Sequence, residues 1–409
     1  MRQAYDYWAD GEVGLKTTIA GPFEQPLVAE ASGVLPPSGD RAIPIPPADG
    51  AVRGRLEWRG NLQQLVALLP ESDNLAAGPA RFDVRMDGTW SQPRLQGEAV
   101  ISDARYENLL SGTILQDVDM SVRFNDRGVG DFQLSARDPV GGRLRGSGEM
   151  VLLGDDRTAE VSLDLDGLLA VRRDEAEVKV SGRTTVTWDG QAVDVVGRHT
   201  LDHVEIRLVA PDLPPSVVAI QLERDKVAEA EAEEPGPPLP VNLDIRIDAP
   251  GQFFVRGRGL ESEWRGQATI TGTADNPQVT SDFNAVRGSL SLLGKDFDLE
   301  EGSIGLTGDL TPEFRIVLVR ETEDLTGRII VSGRPSQPDI DFTSTPELPE
   351  GEVLPRLLFD KARQSLSPVE ALNLAQGIRT LTNGKRGATD RIRDAVGLDV
   401  LRLESGDDP

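Results

Sequence analysis

The sequence is poor in the residues that most often carry chemistry. It has no cysteine, which excludes disulfide bridges and thiolate metal ligands. Its only histidines, His199 and His203, would lie about 13 Å apart on a strand, too far to share one metal ion. No Gly-x-Ser-x-Gly nucleophile motif is present. We therefore expect two solvated histidines and a protein that is not an enzyme and has no metal or other cofactor.

Basic residues, aromatic residues and long apolar runs are also scarce. The 43 Lys and Arg residues face 68 Asp and Glu residues, giving a net charge of -25. Because a phosphate backbone is bound by basic patches, we expect no nucleic-acid partner. No run of about 18 apolar residues is present, so the sequence contains no candidate membrane-spanning helix. Aromatic residues are 5% of the chain, so the interior must be built mainly from Val, Leu, Ile and Ala.

One short pattern occurs four times: an apolar residue, any residue, Gly, three of any kind, Gln or Asn, Pro, any residue, and an aliphatic residue. The copies are at 19–28, 86–95, 270–279 and 331–340. Gly allows the positive φ with which the chain leaves a strand, and Pro favours an extended residue before it. The pattern predicts a strand, a turn and a second strand, repeated along a sheet.

Between the turns, apolar and polar residues alternate with a period of two. This alternation is typical of strands with one apolar and one solvated face, joined by hairpins into an antiparallel sheet. The alternating apolar residues form the candidate lining of a lipid groove: Val118, Met120, Val122, Phe124, Val161, Leu163, Leu165, Val204, Ile206, Leu208, Val241, Leu243, Ile245 and Ile247.

The composition divides the chain into four regions. Residues 1–222 and 241–344 are strand-rich, and the acidic, Pro- and Gly-rich segment 223–240 between them predicts a loop or hinge. Residues 345–409 predict a few short helices. One of these helices contains Pro355, which we expect to kink it or delay its start, and another begins with a capping box of Ser367 and Glu370. A further short helix at 61–69 would be capped by Asn61.

The predicted helices are too few to cover the apolar faces of so many strands. A sandwich, a closed barrel, or an elongated, twisted sheet folded into a U-shaped trough (a β-taco) would each bury those faces. Two interpretations of the alternating residues follow. They form either a dry, packed core or the lining of a groove shared with lipid. Only a trough offers acyl chains an unbroken apolar path.

Segments in the last 160 or so residues resemble the TamB family, the inner-membrane subunit of the translocation and assembly module within the AsmA-like bridge-type proteins. Residues 50–222 share only the rhythm of that family. The segments that carry the resemblance are 254–266 (FVRGRGLESEWRG), 272–277, 286–290, 302–304, 348–359, 366–372 and 397–399.

The resemblance implies a β-trough that crosses the periplasm of a Gram-negative bacterium, transports phospholipid toward the outer membrane, and supports outer-membrane protein assembly and protein secretion. It implies an N-terminal inner-membrane anchor, absent from this sequence, so we expect the chain to be the C-terminal part of the protein, truncated at its end. The implied partners are an outer-membrane barrel of the Omp85 class (TamA-like or BamA-like), phospholipid acyl chains, and outer-membrane protein clients. Two alternatives remain: a scaffold that holds client proteins by strand augmentation, and a surface adhesin or stalk.

Overall fold

A computed structural model describes residues 2–7, 12–19, 27–34, 49–66, 73–208, 239–308, 311–335, 337–362, 365–367 and 369–370. Most of these residues lie in strands, and the pairings described below are all antiparallel. The predicted all-β, mainly antiparallel sheet with few helices is therefore confirmed. The strands are β1 (Arg2–Tyr7), β2 (Glu12–Ile19), β3 (Leu27–Val34), β4 (Val52–Asn61), β5 (Asn74–Ala77), β6 (Pro79–Gly88), β7 (Pro93–Asn108), β8 (Ile114–Phe124), β9 (Val129–Arg137), β10 (Arg143–Val151), β11 (Thr158–Arg172), β12 (Ala176–Trp188), β13 (Val193–Arg207), β14 (Val241–Gly257), β15 (Leu260–Thr273), β16 (Asn276–Leu292), β17 (Lys295–Gly308), β18 (Glu313–Glu321), β19 (Thr326–Arg334) and β20 (Gln337–Thr345). The helices are α1 (Leu62–Val66) and α2 (Glu350–Phe359).

The chain forms two compact units that share four long strands. The first unit comprises Met1–His203, Val217–Ile247 and Ile270–Pro277, and the second comprises Val204–Ser216, Asp248–Thr269 and Gln278–Pro409. The predicted loop or hinge at 223–240 lies almost wholly outside the described residues. The domain limits at that point stay a prediction.

Strands that are consecutive in the chain usually pair with each other. In the first unit, β1 to β4 pair in order, β4 then pairs with β6, β5 pairs with β7, and β6 to β12 pair in order. In the second unit, β16 to β20 pair in order. Such short-range pairing needs only hairpin turns, as the alternating sequence predicts.

The repeated Gly and Pro pattern forms the predicted turns. Gly88 has a φ of 114° and lies opposite Pro93, while Gly333 has a φ of 100° and lies opposite Pro338. In the third copy, Gly272 has a φ of 89°, β15 ends at Thr273, and β16 begins at Asn276. The turn of the first copy, residues 20–26, lies outside the described residues.

Helix α1 closes one end of the apolar surface of the first unit. The Oδ1 atom of Asn61 accepts hydrogen bonds from the backbone N–H groups of Gln63 at 3.0 Å and Gly78 at 3.2 Å, so the predicted cap is confirmed. Leu62 and Leu65 pack against a buried cluster that includes Trp58. The helix is described only to Val66, and residues 67–72 lie outside the described ranges.

Helix α2 packs on β16 to β20 and completes the largest buried cluster. Val353, Leu354 and Leu357 have no exposed surface. They contact Phe297 and Ile329 among other apolar side chains. The helix packs closely on the sheet at Gly327, because a Cβ atom at this position would lie 2.6 Å from Cδ1 of Leu357. Burial of so many aliphatic groups supplies the main stability of this helix.

Two predictions for the C-terminal helices have different outcomes. Pro355 does not delay the start of its helix, since α2 begins at Glu350 and continues through Pro355 to Phe359, and the alternative, a kink at Pro355, stays a prediction. Pro355 is fully buried in the helix, and this burial offsets its missing donor. The capping box is confirmed. The N–H of Glu370 donates to Oγ of Ser367 at 3.3 Å, and the N–H of Ser367 donates to Oε2 of Glu370 at 2.8 Å.

Candidate functional site

Three cross-strand rows form one continuous apolar face on eight strands of the first unit, β4 and β6 to β12. Directly opposite residues in antiparallel strands project to the same side of the sheet. Except for one threonine, every residue in these rows is apolar or glycine. We call the three rows together the apolar face. The first row is Trp58, Phe82, Ala99, Val122, Phe132, Gly148, Val161 and Val186; the second is Gly60, Ala80, Ile101, Met120, Leu134, Gly146, Leu163 and Thr184; the third is Leu56, Val84, Gly97, Phe124, Gly130, Met150, Ala159 and Trp188.

The opposite side of the same strands is polar. One row there runs through Glu57, Asp83, Glu98, Arg123, Asp131, Glu149, Glu160 and Thr187. Ion pairs cross between its strands, such as Arg123 Nε to Glu98 at 3.7 Å, and they are solvent-exposed. The sheet therefore has one side that water solvates well and one that it does not.

The apolar face is well covered at one end and accessible beyond it. Trp58, Ala80 and Ile101 are buried beside α1. From β8 onward, the large side chains of the rows are half-buried, including Val122 at the centre. Within the described residues of this unit, α1 is the only helix on this side of the sheet. A half-buried apolar strip of this kind is suited to bind an apolar ligand.

The predicted groove residues on β8 and β11 lie together on or beside this face. Val118, Met120, Val122, Phe124, Val161, Leu163 and Leu165 are all half-buried. Val118 also packs against two buried clusters and lies opposite Ala104, and Leu165 lies opposite Leu144. That they bind lipid stays a prediction.

The remaining predicted groove residues lie on β13 and β14 or directly after β13. In the first unit, Val241, Leu243, Ile245 and Ile247 are half-buried, whereas the polar residues between them are exposed. Ile245 approaches the strand beside it, because its Cγ2 atom lies 3.2 Å from the position of a Cβ on Gly197. The three in the second unit differ: Val204 is buried, Ile206 is half-buried, and Leu208 is 39% exposed.

An open recess of about 400 Å³ lies where the third row reaches β12. Met150, Ala159 and Trp188 line it together with residues at the ends of the neighbouring strands. The indole N–H of Trp188 is buried and finds no acceptor in the described ranges. The recess thus has a mixed lining, in which apolar side chains of the third row meet acidic residues such as Glu149, Glu160 and Asp194.

The sequence interpretation did not predict the surroundings of His199. The expectation of solvated side chains is wrong for both histidines, since His199 and His203 are half-buried. The Nε2 atom of His199 lies 2.9 Å from the hydroxyl oxygen of Thr184 in the second row. The Nδ1 atom of His199 is buried and has no partner among the residues that the structure describes, and burial lowers the pKa of the imidazole. The period-two pattern could not reveal this, since the glycines Gly182 and Gly197 beside the ring make the space for it.

The sequence of the chain matches a known family. A family model described as the TamB C-terminal domain matches residues 131–408, more than half of the chain. The chain belongs to the TamB family. The match begins well upstream of residue 240, so TamB character extends into strands that the sequence motifs do not reach. A search of curated proteins finds no match.

The described part of this TamB-family chain offers little for metal chemistry or for crossing a membrane by a helix. Among the described residues, no group of three or more His, Asp or Glu side chains could hold a metal ion. No helix in the described ranges has the length and apolar character needed to span a bilayer. The absence of enzyme activity and of cofactors stays a prediction.

Proposed function

We propose that this chain is part of a non-enzymatic, periplasm-spanning subunit of the translocation and assembly module. In this proposal it carries phospholipid along the apolar face toward the outer membrane and supports outer-membrane protein assembly and protein secretion. The observation that carries the proposal is the apolar face itself, with three uninterrupted rows across eight strands and half-buried side chains beyond α1.

The physical argument concerns the cost of moving acyl chains through water. Exposing a methylene group to water costs about 0.8 kcal/mol. Moving an acyl chain of about sixteen carbons from an apolar environment into water therefore costs more than ~10 kcal/mol. Strands spaced by about 4.8 Å make the eight-strand face roughly 34 Å long. The polar opposite side would keep the sheet solvated while the apolar side lines a trough for lipid.

Family membership supports the cellular setting of the proposal. We place the chain in the periplasm of a Gram-negative bacterium, tethered to the inner membrane by an N-terminal anchor outside this sequence. The proposed partner at the outer membrane is a barrel of the Omp85 class, either TamA-like or BamA-like.

Lipid retention by matched variants tests the proposal. Val122→Glu places a charge on the apolar face, and Gln133→Glu places one on the polar side of the neighbouring strand β9. We expect chains purified from cells to carry phospholipid detectable by native mass spectrometry, and we expect Val122→Glu to lose at least tenfold more of it than Gln133→Glu. Circular dichroism checks that both fold. Equal lipid content in the two folded variants would contradict a lipid-carrying face.

A second candidate function is a scaffold that adds client strands to the sheet edge. Within the described residues, β20 pairs with β19 and with no other strand, which leaves its second edge free for augmentation. A photo-crosslinker at the exposed Thr343 of β20 should then capture outer-membrane protein clients in cells. Failure to capture any client, even with secretion stalled, would count against the scaffold.

A further inference from the structure

A second recess, unrelated to the apolar face, lies in the second unit between the β18–β19 hairpin and the end of α2. Its volume is about 410 Å³. The hairpin turn that forms one wall is held by the N–H of Thr322, which donates to the carbonyl of Leu325 at 2.9 Å. The lining residues are Arg320, Thr322, Glu323, Asp324, Leu325, Arg356 and Asp360.

Arg320 reaches this recess from the side of the sheet that α2 covers. Leu318, two residues earlier on β18, is buried in the cluster under α2. Because residues two apart on a strand project to the same side of the sheet, Arg320 also lies on the side that α2 covers, at the edge of the buried cluster. Its Nη1 atom is buried and has no hydrogen-bond acceptor among the described residues.

Arg356 reaches the same recess from the last turn of α2. Its carbonyl accepts the N–H of Asp360 at 3.0 Å, where the helix ends in a left-handed residue. The helix dipole favours a cation at this end of the helix. The buried Nε atom of Arg356 has no acceptor within the part of the chain that the structure describes. Both arginines therefore line one recess, and each has one buried donor that no described residue uses.

The carboxylates around the recess do not use these donors. Asp360 pairs with Lys295 at 3.4 Å. Glu323 and Asp324 lie at the hairpin tip, and within the described part of the chain neither forms an ion pair with Arg320 or Arg356. The carboxylates that line the recess therefore leave both of these donors open to another acceptor.

We propose that the recess binds a phosphate group between Arg320 and Arg356. The planar fork of a guanidinium matches phosphate oxygens, and two such groups can hold one phosphate with charge-assisted hydrogen bonds. The phosphate comes either from free inorganic phosphate or from a phospholipid headgroup. The site does not depend on lipid moving along the apolar face.

Titration of the full chain with inorganic phosphate by isothermal calorimetry tests this site. We expect saturable binding that Arg320→Gln and Arg356→Gln each weaken at least tenfold. Arg315→Gln is the matched control, because Arg315 lies on β18 but on the opposite side of the sheet and pairs with Glu301. We also expect Glu323→Gln to tighten binding several-fold by removing a nearby negative charge. Absence of saturable binding, or equal weakening by Arg315→Gln, would overturn the proposal.

A second pair of measurements distinguishes loss of the site from misfolding and identifies the source of the phosphate group. Arg320→Lys keeps the charge but loses the fork, so it should bind more weakly than the unaltered chain and more tightly than Arg320→Gln. Equal loss in Lys and Gln variants that remain folded would contradict a charge-based site. Stronger binding of glycerophosphoglycerol than of inorganic phosphate identifies a headgroup site, and the reverse order identifies a free-phosphate site.

Discussion

Gly88 and Pro93 lie directly opposite each other at the closed end of the β6–β7 hairpin, and Gly333 and Pro338 repeat this pair in β19–β20. In both hairpins the flanking apolar residues also face each other, as Met86 does Leu95. The repeated sequence pattern therefore fixes register as well as the position of the turn. Register matters here because a shift by one residue would move every apolar side chain to the polar side.

The two glycines differ in their surroundings, which gives a first prediction. A Cβ on Gly88 would lie 2.3 Å from the carbonyl oxygen of Gln92, whereas the nearest atom to a Cβ on Gly333 is 3.5 Å away. An alanine at either position would also have to adopt the positive φ of the glycine, which is unfavourable for a residue with a Cβ atom. We expect Gly88→Ala to destabilise the fold by about 3 kcal/mol and Gly333→Ala by about 1 kcal/mol. Urea unfolding measures both, and equal losses would contradict this account of the turns.

A second prediction concerns the packing of α2 on the sheet. Leu357 is fully buried over Gly327, so Leu357→Ala should lower the free energy of unfolding by about 2–5 kcal/mol. The control is Leu110→Ala, because Leu110 is 69% exposed and should change stability by less than about 0.5 kcal/mol. A comparable effect of the two changes would show that α2 does not complete a core.

His199 gives a prediction about pH. Burial lowers its pKa in the folded chain below the ordinary value of 6.5, so the unfolded chain takes up the proton first as pH falls. The stability that the neutral ring contributes is present above about pH 6.5 and is lost as pH falls through the lower, folded-state pKa. We expect His199→Gln to flatten the dependence of the unfolding free energy on pH in this window. An identical pH profile in the variant would refute the assignment.

Glu370 gives a prediction about the pKa of its carboxyl group. The Lys361 ammonium at 2.7 Å, then the N–H and hydroxyl of Ser367, both at 2.8 Å, lower the pKa of Glu370 to about 2. A carbon-detected NMR titration should find this value. Lys361→Met should raise the pKa more than Ser367→Ala does, and the opposite order would show that the lysine is not the main partner.

The sequence shows the fold class well because its period of two encodes strand faces directly. Alternation in 117–125 and 241–248 correctly indicates β8 and β14, and the Gly and Pro pattern marks the hairpins. What the pattern cannot supply is which residues become neighbours across strands. The close approach of Leu357 to Gly327, the burial of His199 between two glycines, and the unused donors of Arg320 and Arg356 all depend on register and on long-range packing.

The central claim is that the alternating apolar residues bind lipid, and β14 allows its most direct test. Leu243, Ile245 and Ile247 are half-buried, and Asn242, Asp244 and Arg246 between them are exposed. A photo-crosslinker placed in cells at each of these six consecutive positions should capture phospholipid at the three apolar positions and not at the three polar ones. Capture without alternation, or capture confined to the polar positions, would contradict lipid binding by the alternating apolar residues.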